Sequence, residues 1–181
     1  MDVFLQQVLN GLTLGGIYGL VALGLTLVYG ILHVPNFAHG GFYMIGAFVA
    51  FQAMVAWSWG YWAAMLTAAS AVAVLGIVSE RLIFHPLRKA SPLHPKIASI
   101  GLLLFLEAGA QALWGADFQR MPTPYTSIVE MGGITAPAQR LLIIAAAFAL
   151  MVALHLFLTR TTTGSTIIAM AQNREGASLV G

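Results

Sequence analysis

The chain has no cysteine and very little charge: Asp, Glu, Lys and Arg together make up 8% of its 181 residues. The first absence excludes disulfides, thiolate nucleophiles and cysteine-based metal sites. The second excludes an ordinary soluble surface, for which about a quarter of the residues would be charged. Between Asp2 and Glu80 there is no acidic residue, lysine or arginine at all. The start, Met1-Asp2-Val3-Phe4, lacks the basic region of a signal peptide, and no small-residue cleavage site closes a short apolar core. The first apolar segment is therefore expected to be retained. Neither a phosphate-cradling GxxxxGK[ST] loop nor a nucleophile elbow occurs, and there is no low-complexity linker, soluble domain or tandem repeat.

What is present is hydrophobic: 59% of residues, with a mean hydropathy of +0.86. The expected fold class is an all-α integral membrane protein, a polytopic transmembrane helix bundle forming one domain. The net charge of +2 comes from a few clustered residues, so the pI of 9.2 does not imply nucleic acid as a partner; membrane lipid is the implied surroundings.

A helix crossing a hydrocarbon core of roughly 30 Å needs about 20 apolar residues. Cutting the chain at its interruptions predicts five crossings, at 8–32, 37–57, 63–84, 97–114 and 141–158. Pro35 divides the first two, because it lacks an amide hydrogen and clashes with the preceding turn. Trp57-Ser58-Trp59-Gly60-Tyr61-Trp62 packs aromatics around a serine and a glycine, as expected of a tight turn in the interfacial belt. Arg81, Arg88, Lys89 and Lys96 surround the loop at 85–96, and the positive-inside bias places that loop in the cytoplasm. The stretch 116–139, with Asp117, Arg120 and Glu130, is expected outside, and 159–181 back in the cytoplasm. This count puts the N-terminus outside, unless the polar region after the first crossing is a break within the membrane.

That region, His33-Val34-Pro35-Asn36-Phe37-Ala38-His39-Gly40-Gly41, is a polar island in the charge-free run. Backbone groups freed in hydrocarbon must find internal partners, so a broken helix here implies neighbouring protein, water or a ligand. Pro35, Asn36, His39, Gly40 and Gly41 are candidates for a hinge or substrate path. The same residues also suit a simpler role, in which Asn36 and His39 cap a new helix and Gly40 and Gly41 permit close contact. Metal ligation by His33 and His39 fits poorly, since their spacing is not that of a helical ligand pair and no carboxylate is near. Histidines in a membrane also suit a proton relay.

Glu107 is the one acidic residue well inside a predicted crossing, where insertion costs about 2.5 to 3.5 kcal/mol. Gln111 lies one turn on, making a polar stripe that should face the protein interior. A lined solute path and an interhelical hydrogen bond from a protonated carboxyl both account for it. Gly11, Gly15 and Gly19 recur at GxxxG spacing and are candidates for helix packing, as are the small residues crowding the third crossing.

Several landmarks occur in order along nearly the whole chain. They are Gly24-Leu25-Thr26-Leu27-Val28-Tyr29-Gly30-Ile31, Asn36-Phe37-Ala38-His39-Gly40-Gly41-Phe42-Tyr43-Met44-Ile45-Gly46-Ala47, Glu80-Arg81, Pro86-Leu87-Arg88, Ile100-Gly101-Leu102, Thr162-Thr163-Gly164 and Met170-Ala171-Gln172-Asn173-Arg174-Glu175-Gly176-Ala177. Together they resemble branched-chain amino acid ABC permeases of the LivH type. The resemblance implies a multi-pass importer subunit of the bacterial cytoplasmic membrane. Its implied partners are a second permease subunit, two cytoplasmic ATPase subunits and an extracytoplasmic solute-binding protein. It also implies no cofactor in this chain, ATP being bound by the partners.

Arg174, Glu175, Ala177 and Gly181 match the loop by which such permeases dock on their ATPases, although Gly176 departs from the usual second alanine. Family members are longer, so the chain looks like an N-terminal portion. Urea and short-amide permeases share much of the signature. An ion-coupled secondary transporter or channel using Glu107 and the histidines is the reading from another class, and a metal-dependent membrane enzyme is a third.

Overall fold

Apolar segments broken by Pro, Gly and aromatic turns have one economical form in lipid, the helix, which satisfies its own backbone. The computed structural model of the chain describes residues 2–32, 35–88, 90–91, 93–121, 125, 127–131 and 134–172. Four helical stretches are long and apolar enough to cross a membrane: Val3–Gly30, Tyr61–Leu87, Leu93–Trp114 and Ala138–Arg160. A shorter apolar helix occupies His39–Val55. The protein is a polytopic helical membrane protein. It divides into two units, a central one of Val34–Pro122 and a terminal one of Met1–His33 with Thr123–Gly181.

In the central unit, α2 (His39–Val55) and α3 (Tyr61–Ser79) form a hairpin in which Gly46 lets the helices approach; a Cβ there would stand 3.2 Å from the Val72 side chain. The connection is the aromatic turn. Ser58 has a φ of 53° and reverses the chain, so that the Trp59 amide donates to the Ala53 carbonyl at 3.0 Å. The Trp57 and Trp59 rings lie 5.2 Å apart, and Tyr61 meets Trp62 edge-on at 5.6 Å. This turn ends α2 at Val55, before the expected boundary at 57. With 17 residues, α2 spans about 26 Å.

Beyond α3 the helix does not stop at 84. A π turn, Glu80–Phe84, leads into a short α4, His85–Leu87. The wide turn leaves room for the Pro86 ring, which in an α turn would meet the carbonyl four residues back. Arg88 Nη2 then reaches back across the π turn to Glu80 Oε1 at 2.5 Å, an exposed pair. Next, α5 (Leu93–Trp114) begins four residues before the expected 97, with Pro95 in its first turn, where a missing amide hydrogen costs nothing. The loop expected at 85–96 is correspondingly shorter. Phe84 packs with Ala38, Leu102 and Leu106 into the unit's buried core.

Contacts between α2 and α5 advance together along both helices. The Phe37 amide meets Ser99, Gly41 meets Leu103 and Leu106, and Phe48 and Gln52 meet Trp114. These helices are therefore parallel, and the island shares one end of the unit with Arg81 and Arg88.

In the terminal unit, α1 (Asp2–Leu32) starts earlier than the expected residue 8, and α6 runs Ala138–Arg160 rather than 141–158. Arg140 donates to the Asn10 side-chain oxygen Oδ1 near both starts, and further on Gly16 lies against Ala147, where a Cβ would stand 3.1 Å from the alanine methyl. These helices are parallel too. Within the expected outside loop the structure adds an antiparallel hairpin, β1 (Ile128–Met131) with β2 (Ile134–Pro137), in the register Ile128 to Pro137 and Met131 to Ile134. A further helix, α7 (Thr162–Gln172), packs on α6 and on the end of α1, where Ala171 lies beside Gly30.

The left-handed backbone at Ser58 yields a prediction. Ser58→Gly should keep or raise thermal stability in detergent, whereas Ser58→Val should lower it by about 1–2 kcal/mol, because a branched side chain is strained there. Equal melting behaviour of the two variants would contradict it.

Candidate functional site

Two places in the central unit collect the candidate residues. At one end is the break before α2, where amides lose their helical partners. The Asn36 side-chain oxygen accepts from the Ala38 amide at 3.1 Å, and the Asn36 carbonyl accepts from the His39 amide at 3.1 Å. Ser99 Oγ, fully buried on α5, accepts from the Phe37 amide at 3.3 Å and donates to the Lys96 carbonyl at 2.7 Å. Neighbouring protein thus satisfies these freed backbone groups. Asn36 makes an Asx turn just ahead of the helix, Ala38 occupies the N-cap position without a side-chain cap bond, and half-buried His39 is the first helical residue. Pro35 sits half-buried before the turn. His33 lies outside the described residues, and among those described no three His, Cys, Asp or Glu side chains gather.

The paired glycines differ. Gly41 is buried, and a Cβ on it would stand 3.1 Å and 3.2 Å from the leucine methyls of Leu106 and Leu103. Gly40 faces open space. Gly11, Gly15 and Gly19 likewise meet nothing within 4 Å, and on α1 the close contacts belong to Gly16 and Gly30.

Towards the other end of α2 and α5 lies a cleft of ≈ 850 Å³. Glu107 and Gln111 line it from α5, and Tyr43, Met44, Phe48 and Phe51 line it from α2. Residues after Gly115 close one side, including Asp117 and Phe118. Gly115 ends α5 with a φ of +83°, its amide donating to the Gln111 carbonyl at 2.9 Å. That left-handed stop turns Asp117 and Phe118 over the cleft. Trp114 braces the wall, stacked on Phe48 at 5.0 Å and donating to the Gln52 side-chain oxygen at 3.2 Å. Glu107 and Gln111 are both exposed here, and no described residue hydrogen-bonds the Glu107 carboxylate. The fold brings together Glu107 and Gln111 and keeps them apart from Asn36 and Gly41, which lie at the opposite end of the same helix pair.

Arg174, Glu175, Ala177 and Gly181 lie outside the described residues. The helix that leads to them is described. Thr161 joins α6 to α7, its Oγ1 donating to the Phe157 carbonyl at 2.7 Å and accepting from the Gly164 amide at 3.0 Å. It thus closes one helix and caps the next. A Cβ on buried Gly164 would fall on the Phe157 carbonyl oxygen and 2.5 Å from Leu158 Cα, so only glycine fits.

Sequence reasoning missed Ser99, Thr161, Asp117 and the aromatic wall. A signal existed for Thr161, a hydroxyl residue directly before a helical run. Ser99 had none, because a serine in an apolar helix most often bonds its own backbone.

Two predictions follow from this packing. Gly40→Ala should leave stability unchanged or raise it by up to ~1 kcal/mol, while Gly41→Val should cost roughly 1–3 kcal/mol by forcing α2 from α5; thermal unfolding of the two variants distinguishes them. At the α6–α7 joint, Thr161→Ala should lose a cap worth about 1 kcal/mol and speed amide exchange at the start of α7. Gly164→Ala should speed it further. Unaltered exchange in both variants would remove the joint as the anchor of α7.

The chain matches the family described as branched-chain amino acid transport system / permease component over residues 7–181. It is 34% identical over 191 residues to the high-affinity branched-chain amino acid transport system permease protein BraD of Pseudomonas aeruginosa. It is 33% identical over 196 residues to LivH of Salmonella typhimurium and 32% identical over 196 residues to LivH of Escherichia coli, both named with the same transport system. Each alignment covers 98% of this chain and 62% of the relative. No solved structure matches the chain.

Proposed function

The chain belongs to the branched-chain amino acid transport permease family, and on that premise we propose that it is a permease subunit of an ABC importer carrying leucine, isoleucine and valine across the bacterial cytoplasmic membrane. A permease component supplies a path and not a reaction. ATP is hydrolysed by two cytoplasmic ATPase subunits, solute arrives on an extracytoplasmic binding protein, and a second permease subunit completes the path. The observation that carries this reading is the family match, which runs through every helix described from α2 to α7.

The fold supplies parts suited to the task. Parallel α2 and α5 hold the Glu107 cleft at the end of the central unit opposite Arg81 and Arg88. Under the positive-inside bias that basic end faces the cytoplasm and the cleft faces outward. The island, closed by Asn36 and Ser99, is then a break at the cytoplasmic end of α2, and α7 leads towards the segment that docks on the ATPase. ATP-driven closure of the ATPases moves that segment and switches the helices between outward- and inward-open arrangements.

In proteoliposomes containing this chain and its partner subunits, leucine uptake should require both ATP and the binding protein. Equal uptake driven by an ion gradient without the ATPases would sink the proposal and favour a secondary transporter. Uptake of urea or acetamide in preference to leucine would reassign the solute.

A further inference from the structure

We propose that the cleft between α2 and α5 is a solute subsite that selects for an ammonium group, with Glu107 as its inner contact and Asp117 as its outer one. The proposal rests on the importer function above and names how the permease itself reads the solute.

Its basis is the chemistry of the lining. The two charged side chains that line the cleft, among the described residues, are both carboxylates, and no lysine, arginine or histidine joins them. They stand at different depths. Asp117 follows the end of α5 at the mouth, whereas Glu107 lies about two turns below Trp114, inside the spanning segment. A carboxylate at that depth is costly unless it faces water or a counter-charge, and Glu107 is exposed on the cleft with no partner among the described residues. The remaining wall is apolar and aromatic. Tyr43, Phe48, Phe51 and Phe118 line it, and aromatic rings attract cations as well as burying alkyl groups. A small solute with an ammonium beside a branched alkyl chain matches both halves of this surface. A neutral amide or a bare carboxylate matches only one. The carboxylate of an amino acid is left for uncharged donors, of which the Gln111 amide and the Tyr43 hydroxyl line the cleft.

The test uses three probes that share one alkyl chain: leucine, 3-methylbutylamine, which lacks the carboxylate, and 4-methylpentanoate, which lacks the ammonium. Saturation-transfer NMR on the full chain in detergent reports weak binding of each. Leucine and the amine should bind, and the amine should bind at least about fivefold better than the acid, as expected for a charge pair near a protein surface. That comparison needs no variant, so it stands even if a substitution impairs folding. Glu107→Gln, nearly isosteric, should bring amine binding down to that of the acid, with Asp117→Asn having the smaller effect. Acid binding as strong as amine binding in the unaltered chain would overturn the proposal, as would amine binding indifferent to Glu107→Gln in a folded variant. Loss of ATP-dependent uptake is read in a separate assay, so failure of the importer function and failure of the subsite are distinguishable.

Discussion

A broken helix leaves amides without carbonyls of their own, and the hydrogen bond from the Phe37 amide to Ser99 Oγ supplies a partner at the break that one helix cannot supply alone. Pro35 stops one helix and another begins at His39, so several amides stand without carbonyls of their own. Asn36 serves the nearest of them from within the turn. Phe37 is served from α5, and that tie sets the two helices side by side at their starts. The parallel course of α2 and α5 follows, and with it the position of every residue along their shared face.

Small residues determine how closely the helices run. Without a hydrophobic drive between helices in lipid, association depends on close van der Waals packing and interhelical hydrogen bonds. Gly41 against Leu103 and Leu106, Gly46 against Val72, and Gly16 against Ala147 each place a helix where a side chain would have held it away. The joint at Thr161 and Gly164 uses the same device at shorter range, seating the start of α7 over the last carbonyls of α6.

The cleft has a different logic. Aromatic and thioether side chains of α2 make up most of its apolar wall, and Glu107 and Asp117 are the charged side chains that line it among the described residues. The stop at Gly115 is what carries the outer carboxylate over the cleft, since a helix continuing past Trp114 would have directed Asp117 along the axis.

Much of this was legible in the residues alone. Membrane insertion follows from composition, because hydropathy acts on each segment independently of its neighbours. The break at Pro35, the aromatic turn at Trp57–Trp62 and the grouping of Glu107 with Gln111 follow from local rules of the same kind. Helix ends were less legible: α4 and the early start of α5 depend on prolines whose cost vanishes in a π turn or a first turn. Which glycines pack was legible only in part: Gly41 was expected to allow a close approach and does, but on α1 spacing pointed elsewhere. Gly11, Gly15 and Gly19 have the better spacing, yet Gly16 makes the contact, since spacing defines a face and only a partner helix decides which face is used. Likewise the need for a partner at the Phe37 amide was determined by the sequence, and its supply by Ser99 was decided by the tertiary structure, which alone joins residues far apart in the chain.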